Sequence, residues 1–221
     1  MVSRDLKIAH LNLANDDASI WKVPISINYP LSENSSMAPT TPSLWLKTKT
    51  HSMKATSRPY IVNVQATGYY RVNYDEENWK NLTSLLKETN HHSIHPLNRA
   101  QLIDDIMNLA RSHMVNYNLA MDLVLYLKSE NNYIPWEAAF SSLSYLRSRL
   151  VSDKNSALFK SFILELLEER YQNLGFSPQN GDEEHLTILG RMSASGWMCG
   201  LNYEDCVDNA NTFFQQWMNN E

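Results

Sequence analysis

The stretch ATGYYRVNYDEENW, residues 66–79, changes character halfway along and separates two regions of the chain. Its first half is rich in aromatic and β-branched residues, which favour strands. Its second half begins with acids: Asp75 is suited to cap a helix, and Glu76 and Glu77 would lie at the positive end of its dipole. Trp79 then starts an apolar stripe at helical spacing. A strand therefore gives way to a helix here, and we predict a domain boundary after residue 75.

Residues 1–75 are predicted to form a β-sandwich domain. Three short runs have the alternation or the Val, Ile, Tyr and Thr content of strands: WKVPISINY (residues 21–29), SLWLKTKT (residues 43–50) and PYIVNVQATGYYRVNY (residues 59–74). A Pro- and Ser-rich connection between the first two runs indicates a surface loop. Short strands with turn-rich connections are typical of a sandwich.

Residues 76–221 are predicted to form an α-helical superhelix of antiparallel helical hairpins. Apolar residues recur every three or four positions in successive segments that begin near residues 79, 97, 119, 136, 158, 186 and 203. The connections between these segments are short, which makes neighbouring helices antiparallel, as in helical solenoids. The fold class is therefore mixed, with an N-terminal β-sandwich followed by a helical superhelix.

Composition and charge exclude several classes of protein. The 221 residues carry a net charge of −5, and hydrophobic residues make up 43% of them. The chain is too apolar for disorder and lacks the basic surface of a nucleic-acid-binding protein. Its longest mostly apolar stretch, residues 119–127, is too short for a membrane span, which needs roughly 20 apolar residues. No secretory signal is recognisable at the N-terminus. We expect no nucleic-acid partner and no membrane-spanning segment.

No pattern in the sequence predicts a catalytic or metal site. The histidines of HHSIH, residues 91–95, fall between two predicted helices without neighbouring carboxylates, and we interpret them as a solvated loop. The helical zinc-protease signature His-Glu-x-x-His and the nucleophile elbow Gly-x-Ser-x-Gly do not occur. Asp104 and Asp105 share a predicted helix with Arg99 and Arg111, which predicts surface or interhelical salt bridges. We assign no catalytic residue and no metal ligand to this chain.

The cysteines and the sequons indicate a secretory compartment. Cys199 and Cys206 lie seven residues apart in CGLNYEDC, between two predicted helices. This reach favours a local disulfide between them over the alternative of two reduced, partly buried thiols. Two Asn-x-Ser/Thr sequons, at Asn34 in the Pro- and Ser-rich loop and at Asn81 in the first helix, are candidate glycosylation sites.

Several stretches resemble landmarks of the zinc metalloaminopeptidases related to aminopeptidase N. They occur in that family's order: WKVPI (residues 21–25), GYYRVNYDEENW (residues 68–79), NRAQLIDDIMNLA (residues 98–110) and YIPWEAAFSSLSYL (residues 133–146). The cysteine spacing and the final FFQQWM are also similar to the animal, membrane-associated branch of the family. The resemblance extends from about residue 20 to the end of the sequence.

The resemblance implies a four-domain parent enzyme, of which this chain supplies the small β-sandwich and roughly the first half of the C-terminal superhelix. Packing between these two parts is then expected to involve four aromatic residues: Tyr69, Tyr70, Tyr74 and Trp79. The family's zinc motif and its amine-binding Gly-x-Met-Glu-Asn belong to a preceding catalytic domain, and neither occurs here. The resemblance thus implies a segment that encloses the peptide chamber and is inactive alone.

The same resemblance gives zinc as the cofactor of the parent, peptides as its substrates, and the catalytic domain as the partner of this chain. It places the parent outside the cell or at the plasma membrane. One alternative stays open, in which the chain is a binding or scaffold module without a catalytic domain. In either case half a superhelix should leave an apolar end uncovered, because terminal repeats need a polar outer face.

Overall fold

The computed structural model describes residues 5–9, 21–31, 37–54, 59–88, 91–178, 181 and 183–219, and it divides the chain into two compact units. Unit 1 comprises Met1–Leu123 and unit 2 comprises Val124–Glu221. The described part is mostly helical, with a few short antiparallel strands.

The described strands of unit 1 pair two by two. β1 (Asp5–Ala9) pairs with β5 (Thr50–Lys54), β2 (Val23–Ile25) with β4 (Leu44–Leu46), and β3 (Ile27–Asn28) with β6 (Ile61–Val62), all antiparallel. Strands are therefore present in the predicted region, as three separate two-stranded sheets. The complete sandwich remains a prediction.

The pair formed by β2 and β4 shows the alternation from which it was predicted. Ile25 and Leu46 are buried, whereas Trp45, between Leu44 and Leu46, is 55% exposed. Trp45 lies directly across from Pro24 in the register. This small sheet therefore has one apolar face inside unit 1 and one face with an exposed tryptophan.

Seven α-helices occur within the described residues: α1 (Glu76–Lys87), α2 (Pro96–Arg111), α3 (Tyr117–Val124), α4 (Tyr133–Leu150), α5 (Ser156–Leu174), α6 (His185–Gly200) and α7 (Glu204–Met218). Short 3₁₀ turns lie at Val64–Ala66, His91–Ser93 and Leu125–Ser129. The helical pattern downstream of residue 75 is therefore confirmed. None of the described helices combines the length and the hydrophobicity that crossing a bilayer would require.

Helix α1 begins where the acids of the opening stretch predict. The backbone N–H of Asn78 donates to Asp75 Oδ1 at 2.8 Å, so that Asp75 caps the helix. The predicted apolar stripe of α1 is buried in the core of unit 1: Trp79, Leu82, Leu85 and Leu86. Capping and burial thus act on the same helix, as the sequence indicates.

The division between the units falls after Leu123, later than the predicted boundary after residue 75. The reason is that hydrogen bonds link β6 and the residue before it to helices α1 and α2. The backbone of Tyr60 exchanges two hydrogen bonds with the Asn78 amide, at 3.2 Å to Oδ1 and 3.0 Å from Nδ2. Gln101 of α2 donates to the carbonyl of Val62 at 3.0 Å. Strand and helix residues therefore share one core.

Unit 2 is built from helices that contact one another in succession. α4 contacts α5 and α6, α5 also contacts α6, and α6 contacts α7. The rings of Phe140 and Trp197 stack with centroids 5.4 Å apart and join α4 to α6. Tyr171 of α5 donates to Asp205 of α7 at 2.7 Å. Aromatic side chains therefore contribute contacts between these helices.

Gly190 allows α6 to approach a buried cation of α5. A Cβ atom at this position would lie 2.9 Å from Arg170 Nη2. The Arg170 guanidinium lies 5.4 Å from the centre of the Trp136 ring and donates to the Asn131 carbonyl at 3.0 Å. Burial lowers the pKa of Arg170 to about 10, so the group stays charged at neutral pH. The absent side chain at 190 thus leaves room for this cation.

Candidate functional site

One face of α2 binds the main chain of the preceding segment. Asn98, Gln101 and Asp105 follow one another at helical spacing along α2, and all three are buried. Asn98 Oδ1 accepts from the N–H of Gln65 at 2.6 Å, and Asp105 Oδ2 accepts from the N–H of Val72 at 3.1 Å. Together with the Gln101 bond to Val62, these contacts fix residues 62–72. We call the three side chains the α2 polar face.

The segment that this face holds contains a strained loop, residues 63–70, which we call the Asn63 loop. Three of its residues that are not glycine have positive φ: Asn63 at 64°, Gln65 at 57° and Ala66 at 54°. Asparagine tolerates this region, but each such residue costs of order 1–3 kcal/mol. The surrounding hydrogen bonds therefore have to stabilise this conformation.

The buried side chain of Asn63 closes the loop. Its Nδ2 donates to the carbonyls of Gly68 at 2.9 Å and Tyr70 at 3.2 Å, and its Oδ1 accepts from the N–H of Gly68 at 2.7 Å. A Cβ atom at Gly68 would lie 2.3 Å from the Tyr70 ring. The backbone carbonyl of Ser26 accepts a hydrogen bond from the N–H of Asn63 at 3.0 Å. The loop is thus held from both sides.

A buried carboxyl lies where α2 meets the residues after the loop. Asp105 is 3% exposed, and Arg71 Nη1 lies 3.3 Å from its Oδ1 and also pairs with Asp104. Burial raises the pKa of Asp105 to about 7; the N–H of Val72, the charge of Arg71 and Gln101 offset only part of this effect. Burial and the nearby Asp105 also raise the pKa of Tyr70 to about 12.

An aromatic cluster lies beside this carboxyl. The rings of Tyr74 and Trp79 meet edge to face at 4.8 Å, and those of Tyr60 and Tyr74 at 5.8 Å. The Tyr74 hydroxyl accepts from the N–H of Val62 at 2.9 Å, and Trp79 Nε1 donates to Asn73 Oδ1 at 3.0 Å. Burial raises the pKa of Tyr74 well above its usual value. Both polar tips are therefore satisfied inside an apolar core.

The four aromatic residues predicted to pack between the two parts of the chain behave differently. Tyr74 and Trp79 are buried in unit 1, and Tyr70 is half-buried with its hydroxyl donating to the Pro24 carbonyl at 2.7 Å. The expectation is wrong for Tyr69, whose side chain is fully exposed, with 109% of its reference area accessible. The reason is that the loop turns between residues 68 and 70 and directs neighbouring tyrosines differently.

A groove of about 530 Å³ lies between the start of α1 and residues 114–122 of unit 1. Its lining combines apolar side chains with amides and charges of both signs: Asn73, Tyr74, Glu76, Trp79, Lys80, Met114, Val115, Asn116, Asn118, Leu119 and Asp122. All three charged residues of the lining have partners, since Lys80 pairs with Glu76 at 2.6 Å and Asp122 with Lys87 at 2.6 Å. This groove has no single charge that would select a ligand.

The histidine-rich segment is not the solvated loop that the sequence indicated. His91 is 2% exposed, its ring lies 4.1 Å from that of His92, and His95 caps α2 by accepting from the N–H of Leu97 at 3.2 Å. Ile94 is fully buried and draws the segment inward. No group of three or more His, Cys, Asp or Glu side chains able to hold a metal occurs in the part of the chain that the structure describes. Those residues therefore do not fit a zinc ion.

The acid pair was expected to form surface or interhelical salt bridges; Asp104 forms one with Arg71, whereas Asp105 is buried. Its cationic partner is Arg71, 34 residues earlier, and not an arginine of α2. Arg99 of α2 instead donates to the carbonyl of Ile94. The polar residues of this helix are thus buried and directed at the Asn63 loop, which residue spacing alone did not reveal.

The two cysteines form a disulfide that joins the end of α6 to the start of α7. Cys206 is buried, and the turn between the helices contains Asn202 with a φ of 55°. Of the two sequons, Asn34 lies outside the described residues. Asn81 is half-buried within α1, and the Thr83 of its sequon is 3% exposed. Glycosylation at either position remains a prediction.

Comparison with known proteins shows that this chain is similar to part of several aminopeptidases. A family model described as the ERAP1-like C-terminal domain matches residues 59–221. An aminopeptidase N of Plutella xylostella is 43% identical over 209 residues, which is 91% of this chain and 22% of that protein. A membrane alanyl aminopeptidase of Manduca sexta and the human aminopeptidase N are each 34% identical over 72% of this chain, and over 16% and 17% of their own lengths. The chain therefore spans about a fifth of the length of the curated relatives it matches.

Proposed function

The chain belongs to the ERAP1-like C-terminal domain family of aminopeptidase N-related proteins, and from this we propose that it is part of a zinc metalloaminopeptidase that removes N-terminal amino acids from peptides. The observation that carries the proposal is the family match over residues 59–221, which coincides with the helices described here. The relatives are aminopeptidases by name.

Within that enzyme, this chain would contribute a β-sandwich and the first part of a helical superhelix that encloses the substrate chamber. The short antiparallel strands of unit 1 and the successive contacts among α4, α5, α6 and α7 support this arrangement. The α2 polar face gives it rigidity, because it ties residues 62–72 to a helix through buried hydrogen bonds. By enclosing the chamber, these elements would allow only peptides of suitable size to enter it.

The zinc ion would be held by another part of the complete protein. The described residues here do not fit it, so we assign them no step in the hydrolysis. The residues of this chain would have a structural role. They would exclude water from one side of the chamber and keep the strands and the first helices packed together. The preceding catalytic domain would supply the zinc and the groups that bind the substrate's amine.

Exposed apolar side chains on the last two helices support a continuation of the superhelix. Large apolar side chains are exposed there: Leu186, Ile188, Met192, Phe213, Phe214, Trp217 and Met218. Such a surface is unusual on a monomer and becomes buried when a further helical hairpin packs on it. The complete protein would therefore carry more helices beyond α7.

The parent enzyme would function outside the cell, associated with the plasma membrane. The disulfide supports an oxidising compartment, because such bonds are rare in the cytosol. A relative is named as a membrane aminopeptidase, which supports the same location. Glycosylation would then occur at Asn34, and at Asn81 only before α1 folds, because the helix holds that sequon half-buried.

Peptidase assays on two proteins test the proposal. The 221-residue chain with added zinc should not hydrolyse an aminoacyl-amide, whereas the complete protein expressed from the intact transcript should, and a chelator should abolish its activity. Turnover by the chain alone would contradict the proposal. An intact transcript without a zinc motif would instead support a non-catalytic binding module.

A further inference from the structure

The Asn63 loop is a rigid surface loop whose backbone is strained. Three non-glycine residues with positive φ lie within four positions, and the loop is fixed by Asn63, by Gly68 and by the α2 polar face. The N–H of Val64 also donates to Ser26 Oγ at 2.9 Å. Strained backbone of this kind persists where the surrounding structure over-determines it, and it is concentrated at sites of function.

The loop presents one large side chain to solvent. Tyr69 is fully exposed, whereas the tyrosine after it is anchored by its hydroxyl on the Pro24 carbonyl. Pro24 in turn pairs with Trp45, which is 55% exposed. Arg71, which pairs with Asp104 and Asp105, follows two residues after Tyr69 and keeps 46% of its side chain exposed. Tyr, Trp and Arg are the residues that most often carry the binding energy of protein interfaces.

Charge indicates the chemistry of the surface that would meet these residues. Residues 1–74 contain eight Lys and Arg and four acidic residues, whereas residues 75–221 contain eleven Lys and Arg and twenty acidic residues. Lys22, Lys47 and Lys49 are exposed, and each is within three residues of β2 or β4 in the sequence. The strand-bearing part of unit 1 is thus positive within an acidic chain, and it is complementary to a negatively charged partner surface.

We propose that Tyr69, presented by the Asn63 loop, is a docking residue that packs on an acidic surface of the catalytic domain in the complete protein. The proposal rests on the proposed function, and the partner follows from length: about four fifths of each relative lies outside the region that this chain matches. Because the loop is already rigid, the tyrosine loses little conformational freedom on binding, which favours a specific contact.

Chemical modification of tyrosines tests the proposal. The 221-residue chain and the complete protein are nitrated with tetranitromethane under the same conditions, and the modified positions are mapped by mass spectrometry. In the chain alone Tyr69 should react readily and the buried Tyr74 should not. In the complete protein the nitration of Tyr69 should fall to the level of Tyr74. Equal nitration of Tyr69 in both proteins would overturn the proposal.

Two substitutions give a second, independent readout. Tyr69→Ala should leave the melting temperature of the chain unchanged, because the side chain contacts no core there, and should lower that of the complete protein. Tyr69→Phe, which keeps the ring, should behave as wild type in both. A Tyr69→Ala variant of the complete protein that melts as wild type would refute the docking role.

The outcomes also separate this proposal from the proposed function. If the complete protein cleaves aminoacyl-amides but Tyr69 is nitrated as in the chain alone, the docking role fails and the peptidase function stands. If the complete protein has no zinc motif and no activity, the peptidase function fails, and the assignment of the partner fails with it.

Discussion

The buried Asp105 should make the stability of unit 1 decrease as pH rises. Its pKa is about 7 in the folded chain and 3.8 in the reference state, so the folded chain binds the proton more tightly than the unfolded chain does. Stability is therefore highest when the carboxyl is protonated, and it is lost as pH rises from 3.8 through 7. The complete shift corresponds to about 4 kcal/mol.

The measurable part of this effect lies between pH 5 and pH 8. Over that interval the free energy of unfolding should fall by about 2–3 kcal/mol because of this one group. Asp105→Asn removes the titration but keeps an acceptor for the N–H of Val72. Relative to wild type, the variant should therefore gain about 2–3 kcal/mol between pH 5 and pH 8.

Urea unfolding at several pH values, followed by tryptophan fluorescence, measures this difference. Other titrating groups, including the seven histidines, contribute equally to both proteins and cancel. Asp104→Asn is a matched control, because it removes the neighbouring carboxyl, whose side chain is 44% exposed. It should leave most of the pH dependence in place. Parallel pH profiles for wild type and Asp105→Asn would refute the reasoning.

Three further predictions concern local features of the fold. Gly68→Ala should destabilise unit 1 by about 1–3 kcal/mol in urea unfolding, because its Cβ atom would lie 2.3 Å from the Tyr70 ring. Gly196→Ala, with nothing within 4 Å, is the control and should be neutral or stabilising. Asp75→Ala should cost about 1 kcal/mol by thermal melting through loss of the α1 cap, and Asp75→Asn much less. Reducing the disulfide should destabilise unit 2 by about 2–3 kcal/mol, whereas the Cys199→Ser, Cys206→Ser double variant should melt identically with and without reductant.

Local patterns in the sequence predicted the helices and the start of α1 because these features depend on residues close together in the chain. The cap at Asp75 and the buried stripe beginning at Trp79 involve neighbours within one or two helical turns. The cysteine spacing predicted the disulfide, against the alternative of free thiols, for the same reason. Periodicity and capping are therefore sufficient where the partners are local.

The site depends on contacts that no local pattern specifies. Asn98 binds the N–H of Gln65, 33 residues earlier, and Gln101 binds the carbonyl of Val62, 39 residues earlier. The helical spacing of Asn98, Gln101 and Asp105 was the available signal, but of these three residues only Asp105 was singled out from the sequence. Similarly, the backbone of the Asn63 loop, and not the residue type, determines that Tyr69 points outward.

The close contact between Gly190 and Arg170 links two positions that lie twenty residues apart. A methyl group at 190 would displace the guanidinium from the Trp136 ring and from the Asn131 carbonyl. A larger residue at 190 therefore requires either that the Arg170 guanidinium moves or that a smaller residue replaces it, whereas Arg170 can be replaced while Gly190 stays. Homologous sequences with a residue larger than glycine at 190 should carry a smaller residue at 170.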